Sequence, residues 1–259
     1  MNADLPFFTI GRGPALVVLL YLPRPGNPSG LTRWSTVRLV APLARERTVH
    51  VVGRPAGLPA HMTMAELAEV YATGLRSMFD RPIDVLAVST GASIALQLAA
   101  DHPGAIDRLV IGAGGCVLGP IGRRAQREYV RRADAGLRPS PALADVVSDS
   151  RVARTVLRPL LWLADGTGDH AESAMVLNAE DGFDLRERMG EITAPTLIVS
   201  GDRDVVYPID IARQTAAGIP AGHLVVYDGV RHDRVVTDKR FVRDALRFLH
   251  GTGSRSRNP

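Results

Sequence analysis

Short apolar runs alternate with longer amphipathic stretches along most of this chain. Phe7-Phe8-Thr9-Ile10 reads as a first strand, closed by Gly11-Arg12-Gly13-Pro14. Ala15 to Leu20 is continuously apolar, the signature of a strand buried on both faces. Thr48–Val52, Arg108–Gly112, Ala194–Ser200 and Leu224–Tyr227 repeat that signal. Between them the period lengthens to that of a helix. Leu31 to Leu43 places Val37, Leu39, Val40 and Leu43 for one helix. Thr63-Met64-Ala65-Glu66 has capping-box spacing and predicts the start of another, with Leu67, Val70, Tyr71, Leu75 and Met78 on one face. Later helices are expected over Pro208–Ala217 and Arg240–His250. Strand–helix alternation of this kind predicts an α/β fold with a mostly parallel sheet and helices on both faces.

The alternation fails between about Cys116 and Gly182. Arg123, Arg124, Arg127, Arg131 and Arg132 stud a helical, weakly apolar segment; a Pro/Ser stretch, Arg138–Pro141, follows; Val152 to Ala164 is more apolar. No strand signal interrupts it. The arginines read as a solvated face, with attraction of an anionic substrate as a secondary reading that singles out Arg127 and Arg131. Residues 251–259, rich in Gly, Ser and Arg, are expected to form a disordered tail.

Asp84–Val88 is an apolar run that passes through Ser89 into a helix ending near Asp101-His102-Pro103. Strand, sharp turn and helix in that order put the serine at the tip of the turn. Such a turn brings strand and helix close together, so the residues two before and two after the serine must be small. Ala87 and Gly91 occupy those positions, and Ser93 is small as well. The Thr90 N–H, at the start of the helix, is placed to donate to an oxyanion.

The stretch Ala87-Val88-Ser89-Thr90-Gly91 resembles the nucleophile elbow of the α/β-hydrolase superfamily, G-x-S-x-G, with alanine in place of the first glycine. Two further positions resemble that family. Gly201-Asp202-Arg203-Asp204 follows a strand where the family carries its catalytic carboxylate, which makes Asp204 the acid and Asp202 a bystander. His232 follows the last strand, where the family carries its catalytic histidine. The resemblance implies a Ser89–Asp204–His232 triad in the order these hydrolases use. It also implies an all-helical cap: a core of residues 1–115 and 183–250, with 116–182 inserted above it. Trp162 and Leu163 are candidates to face the covered pocket, with packing against the core as their other reading. A second oxyanion donor is implied in the loop after Leu20. There the sequence departs from the family's His-Gly, and Pro23 has no N–H, which leaves Tyr21 or Leu22.

The implied activity is hydrolysis of a small carboxylic ester, thioester or lactone through an acyl-enzyme on Ser89. Alternatives on the same fold are C–C bond hydrolysis, acyl transfer to another acceptor, or a non-hydrolytic ligand-binding or cyclase relative. Composition narrows the partners. The pI of 9.7 overstates the basicity, since the net charge is only +4 and Lys239 is the sole lysine. No nucleic-acid-binding motif accompanies the arginines. No apolar stretch reaches the length of a membrane span, and no metal or cofactor motif is present. Cys116, the only cysteine, permits no intrachain disulfide. A cytoplasmic protein acting on a small molecule, as monomer or homodimer and without cofactor, is expected.

Overall fold

The computed structural model describes residues 4–20, 25–147, 151–165 and 170–251. A seven-stranded sheet forms the centre, built from β1 (Phe7–Ile10), β2 (Ala15–Leu19), β3 (Thr48–Val52), β4 (Ile83–Val88), β5 (Ile106–Gly112), β6 (Thr196–Gly201) and β7 (Gly222–Tyr227). Its spatial order is β1-β3-β2-β4-β5-β6-β7. Only β1, an edge strand, runs antiparallel to its neighbour. The remaining pairs are parallel.

Period-two alternation within the apolar runs produces two cores. Val17, Leu19, Val85, Ala87, Leu109, Ile111 and Ile198 face one side and pack with α2 (Met64–Met78) and α3 (Thr90–Asp101). Leu16, Val18, Val49, Val51, Leu86, Val110, Leu197 and Val199 face the other. There they meet Val40 at the end of α1 (Gly30–Val40), and Phe241, Leu246 and Leu249 of α9 (Lys239–Leu249). A strand covered on both faces cannot afford polar residues on either, which is why these runs read as continuous. The capping box at Thr63 forms as expected: its hydroxyl accepts from the Glu66 N–H, and the Glu66 carboxylate accepts from the Thr63 N–H.

Among the described residues of 116–182 the regular structure is helical, with α4 (Pro120–Asp134), the short α5 (Ala144–Val147), α6 (Arg151–Ala164) and α7 (Ala171–Asp181). No strand is found there among the described residues, although Val117 forms an isolated bridge with Asp184. Between β6 and β7 lies α8 (Ile209–Gly218). Among the described residues no helix is long and apolar enough to cross a membrane. Of the expected tail, residues 252–259 lie outside the described residues.

The chain builds outward from β2 to β3, crosses back over β2 to β4, and then proceeds to β7. The reversal leaves a crevice at the carboxyl ends of β2 and β4, where open α/β sheets bind ligands. Ser89 follows β4 directly into that crevice.

Candidate active site

Ser89 joins β4 to α3 with φ 54° and ψ −124°, a left-handed backbone that a residue with a side chain adopts only under constraint. The constraint is visible at Gly91. A Cβ there would stand 2.4 Å from the Leu19 carbonyl oxygen of β2, so α3 can start this close to the sheet only with glycine. Ala87 is fully buried on the strand side. The small residues read from the sequence are thus the ones the turn requires.

The serine hydroxyl lies 3.0 Å from His232 Nε2, and His232 Nδ1 lies 2.8 Å from Asp204 Oδ2. The turn after β6 buries Asp204, whose Oδ1 accepts the backbone N–H groups of Val206 (2.8 Å) and Tyr207 (2.9 Å). One carboxylate oxygen is therefore fixed by the backbone while the other meets the imidazole. With Nδ1–H donating to Asp204, Nε2 is left as the acceptor that faces Ser89. Asp202 plays a local part, accepting the Gly229 N–H at 2.6 Å across the turn.

A cavity of about 150 Å³ opens beside Ser89 and His232. Its other walls are Thr90, Gly122, Ala125, Gln126, Leu143, Val146, Leu177 and Val206, largely apolar and drawn from α4, α5 and α7 as well as the core. A larger surface depression between α1 and α9 shares none of these residues. Trp162 and Leu163 do not reach the cavity. They are 46% and 65% exposed, and the Arg138 guanidinium covers the Trp162 ring at 3.9 Å. The apolar stretch Val152 to Ala164 lies in α6, but Val152, Val156, Leu160, Trp162 and Leu163 are turned to solvent there. Tyr21 and Leu22 lie outside the described residues. On α4, Arg127 is held by Asp181 at 3.0 Å and Arg131 by Glu128 at 2.7 Å.

The sequence did not foretell Glu180. This residue, near the end of α7, is fully buried. Its Oε1 accepts from Ser93 Oγ (2.8 Å) and Tyr207 OH (2.6 Å), its Oε2 from Thr90 Oγ1 (2.9 Å) and Gln126 Nε2 (2.6 Å). Burying a carboxylate costs several kcal/mol unless its lone pairs are met, and four donors meet them here. Gln126 donates even though its own Oε1 is then buried without a partner. Burial, with the adjoining Glu180 charge, pushes the Tyr207 phenol well above its ordinary pKa, so it remains a donor. Nothing in the sequence separates Glu180 from the neighbouring Asp181, which faces Arg127 instead. A polar Ser93 in the apolar run of α3 was the one available hint.

Comparison with known proteins gives a consistent picture. Over 201 residues the chain is 30% identical to the "Putative carbamate hydrolase RutD" of Klebsiella pneumoniae (strain 342), covering 72% of this chain and 73% of that protein. It is 24% identical over 250 residues to the "2-hydroxy-6-oxononadienedioate/2-hydroxy-6-oxononatrienedioate hydrolase" of Cupriavidus pinatubonensis, covering 86% and 82%. Among solved structures it resembles MGS-M2, an α/β-hydrolase enzyme from a Medee basin deep-sea metagenome library. The TM-score is 0.76 over 98% of this chain and 97% of that one, at 18% identity. With residues 61–239 matching the family described as "Serine aminopeptidase, S33" (Hydrolase_4), the chain belongs to that family of hydrolases within the α/β-hydrolase superfamily.

Proposed function

We propose that this protein is a serine hydrolase that cleaves small, uncharged carboxylic esters, thioesters or lactones through an acyl-enzyme on Ser89. The carrying observation is the unbroken chain Ser89–His232–Asp204 at 3.0 and 2.8 Å, set at a strained elbow beside a cavity. In this reading His232 Nε2 takes the Ser89 proton as Oγ attacks the carbonyl carbon. Asp204 holds the imidazole in its tautomer and stabilises the imidazolium. The Thr90 N–H receives the developing oxyanion, with Tyr21 or Leu22 as the second donor. His232 then returns the proton to the leaving group, and water releases the acid.

Size and polarity of the cavity support the substrate class. The cavity is small, about 150 Å³. The described residues lining it include no arginine or lysine to neutralise a substrate carboxylate. Residues 116–182 would act as the cap, because α4, α5 and α7 supply most of the lining beyond the elbow.

A second reading, C–C bond hydrolysis with the same residues, draws on the likeness to the dioate hydrolase of Cupriavidus pinatubonensis. Its name denotes a dianionic substrate, for which the described residues lining the cavity offer no counter-charge. The test is intact mass after exposure to a fluorophosphonate probe. One adduct is expected on the natural protein and none on Ser89→Ala. Failure of the natural protein to label, beside a control hydrolase that does, would reject the nucleophile. Turnover of a 1,3-diketone without ester turnover would favour the second reading.

A further inference from the structure

Glu180 is the place where the helical segment grips the elbow. Its four donors come from separate parts of the chain: Thr90 and Ser93 from α3, Gln126 from α4, and Tyr207 from the turn after β6. All four are neutral. No ion pair to Glu180 is found among the described residues.

We propose that Glu180 is a positioning residue for acyl transfer, setting Thr90 on one side of the nucleophile and Tyr207 on the other. The inference rests on the serine-hydrolase reading above. On the first side, Thr90 is the residue whose N–H the serine-hydrolase reading assigns to the oxyanion. Its hydroxyl is tied to Glu180 at 2.9 Å, so the first residue of α3 and the Ser89–Thr90 peptide are held from the side-chain end. On the second side, Tyr207 makes three contacts besides the 2.9 Å hydrogen bond between its OH and Ser93 Oγ. Its OH donates to Glu180, its N–H donates to Asp204 Oδ1, and its ring stacks beside the His232 imidazole at 6.1 Å between centroids and 22° between planes. A single carboxylate thus braces both the oxyanion donor and the imidazole–carboxylate pair without touching substrate.

A purely structural role accounts poorly for this choice. Buried charges contribute little net stability, and well-packed apolar replacements often do better. A tie between the helical segment and the core needs no carboxylate, whereas four donors converging on two charged atoms make short, directional bonds that rigidify the groups they join.

Glu180→Gln keeps the shape and removes the charge that four donors share. The test measures kcat and KM for p-nitrophenyl butyrate. It adds the inhibition constant of butylboronic acid, which forms a tetrahedral adduct on an activated serine. The expected result is a loss of at least tenfold in kcat, a KM within about threefold of the natural value, and a parallel tenfold loss of boronate affinity. Donor-loss effects of 10²–10³ at oxyanion holes bound the change from above. Thr90→Val and Tyr207→Phe each remove one arm and are expected to lower kcat severalfold, while Thr90→Ser keeps the hydroxyl and restores it. A Glu180→Gln protein with lowered Tm but kcat and boronate affinity within twofold would overturn the positioning role. Should that variant fail to fold, natural kcat in both Thr90→Val and Tyr207→Phe would overturn it equally. If the natural protein neither labels with fluorophosphonate nor turns over ester, the serine-hydrolase reading falls and takes this inference with it. Labelling with an unaffected Glu180→Gln defeats the inference alone.

Discussion

Replacing Gly91 with alanine perturbs the elbow by one methyl group at a place where the response is calculable. The added Cβ would lie 2.4 Å from the Leu19 oxygen, 2.8 Å from its carbonyl carbon and 3.3 Å from its Cβ. Two of these atoms are backbone of β2, paired on both sides in the middle of the sheet, so no rotamer change relieves the contact. Ordinary contact begins near 3.4 Å. The start of α3 must therefore retreat by about 1 Å, a displacement that costs on the order of 10²-fold when it falls on reacting groups. Overpacking costs about 1–3 kcal/mol, and alanine returns about 1 kcal/mol of helix propensity. A net loss of up to about 2 kcal/mol corresponds to a Tm lower by roughly 4–8 °C for a domain this size.

The assay pairs the rate of fluorophosphonate labelling at Ser89 with thermal unfolding. Gly190→Ala serves as the control, since a Cβ there meets nothing within 4 Å. We expect Gly91→Ala to label about 10²-fold more slowly and to melt earlier, and Gly190→Ala to match the natural protein in labelling. Unchanged Tm and labelling in Gly91→Ala would refute the steric argument. A lowered Tm with natural labelling would refute its transmission to the nucleophile.

Asp204→Asn retains an Oδ1 acceptor for Val206 and Tyr207 but presents an N–H₂ to His232 Nδ1. The wrong tautomer then faces Ser89, and kcat for ester turnover is expected to fall about 10⁴-fold with Tm little changed. At the other end of the molecule, Asp238 caps α9 by accepting the Arg240 N–H. Asp238→Ala should cost about 1 kcal/mol at neutral pH in a denaturant titration. The Arg240 side chain, with its N–H, holds that carboxyl at about 2, below the ordinary 3.8. A depressed acid stabilises above its unfolded pKa and loses that contribution as pH falls through the folded one. The stability gap between natural protein and Asp238→Ala should therefore be full above pH 4 and shrink toward pH 2; a gap independent of pH would contradict the charge-assisted cap.

The sheet was legible because burial on both faces forces unbroken apolar runs, and the helices because Thr63, Asp101-His102-Pro103 and the amphipathic α9 mark their ends. Ser89 was singled out by the small residues around its turn, and Asp204 and His232 by their resemblance to the positions a known family uses past its strands; the carboxyl edge of a parallel sheet gathers such positions whatever their separation in sequence. The cavity was not. Trp162 and Leu163 were the candidates to face it, yet its apolar lining is made of Gly122, Ala125, Leu143, Val146, Leu177 and Val206, residues with no distinguishing pattern. Side chains of that kind report which helix face is buried and not what it is buried against. Glu180 escaped for the same reason in polar form: a carboxylate two residues before a glycine reads as a helix-end charge until the four donors around it are seen together.

Two buried carboxylates shape this site, and they share Tyr207. Asp204 gives one oxygen to backbone N–H groups and one to His232; Glu180 gives both to side chains. The second arrangement has a consequence for the cavity. Thr90 and Gln126 line it, but the Thr90 hydroxyl and one Gln126 N–H are committed to Glu180, and the hydroxyls of Ser93 and Tyr207 are committed likewise. Among the described residues, what remains for a bound acyl group is apolar wall, the second Gln126 N–H, the Ser89 hydroxyl and the His232 imidazole. An acyl chain then gains by burial, while a second carboxylate on the substrate finds no cation among the described walls to repay the hydration it sheds. The preference for an uncharged acyl group and the rigidity of the elbow would thus share one origin, in the same four hydrogen bonds.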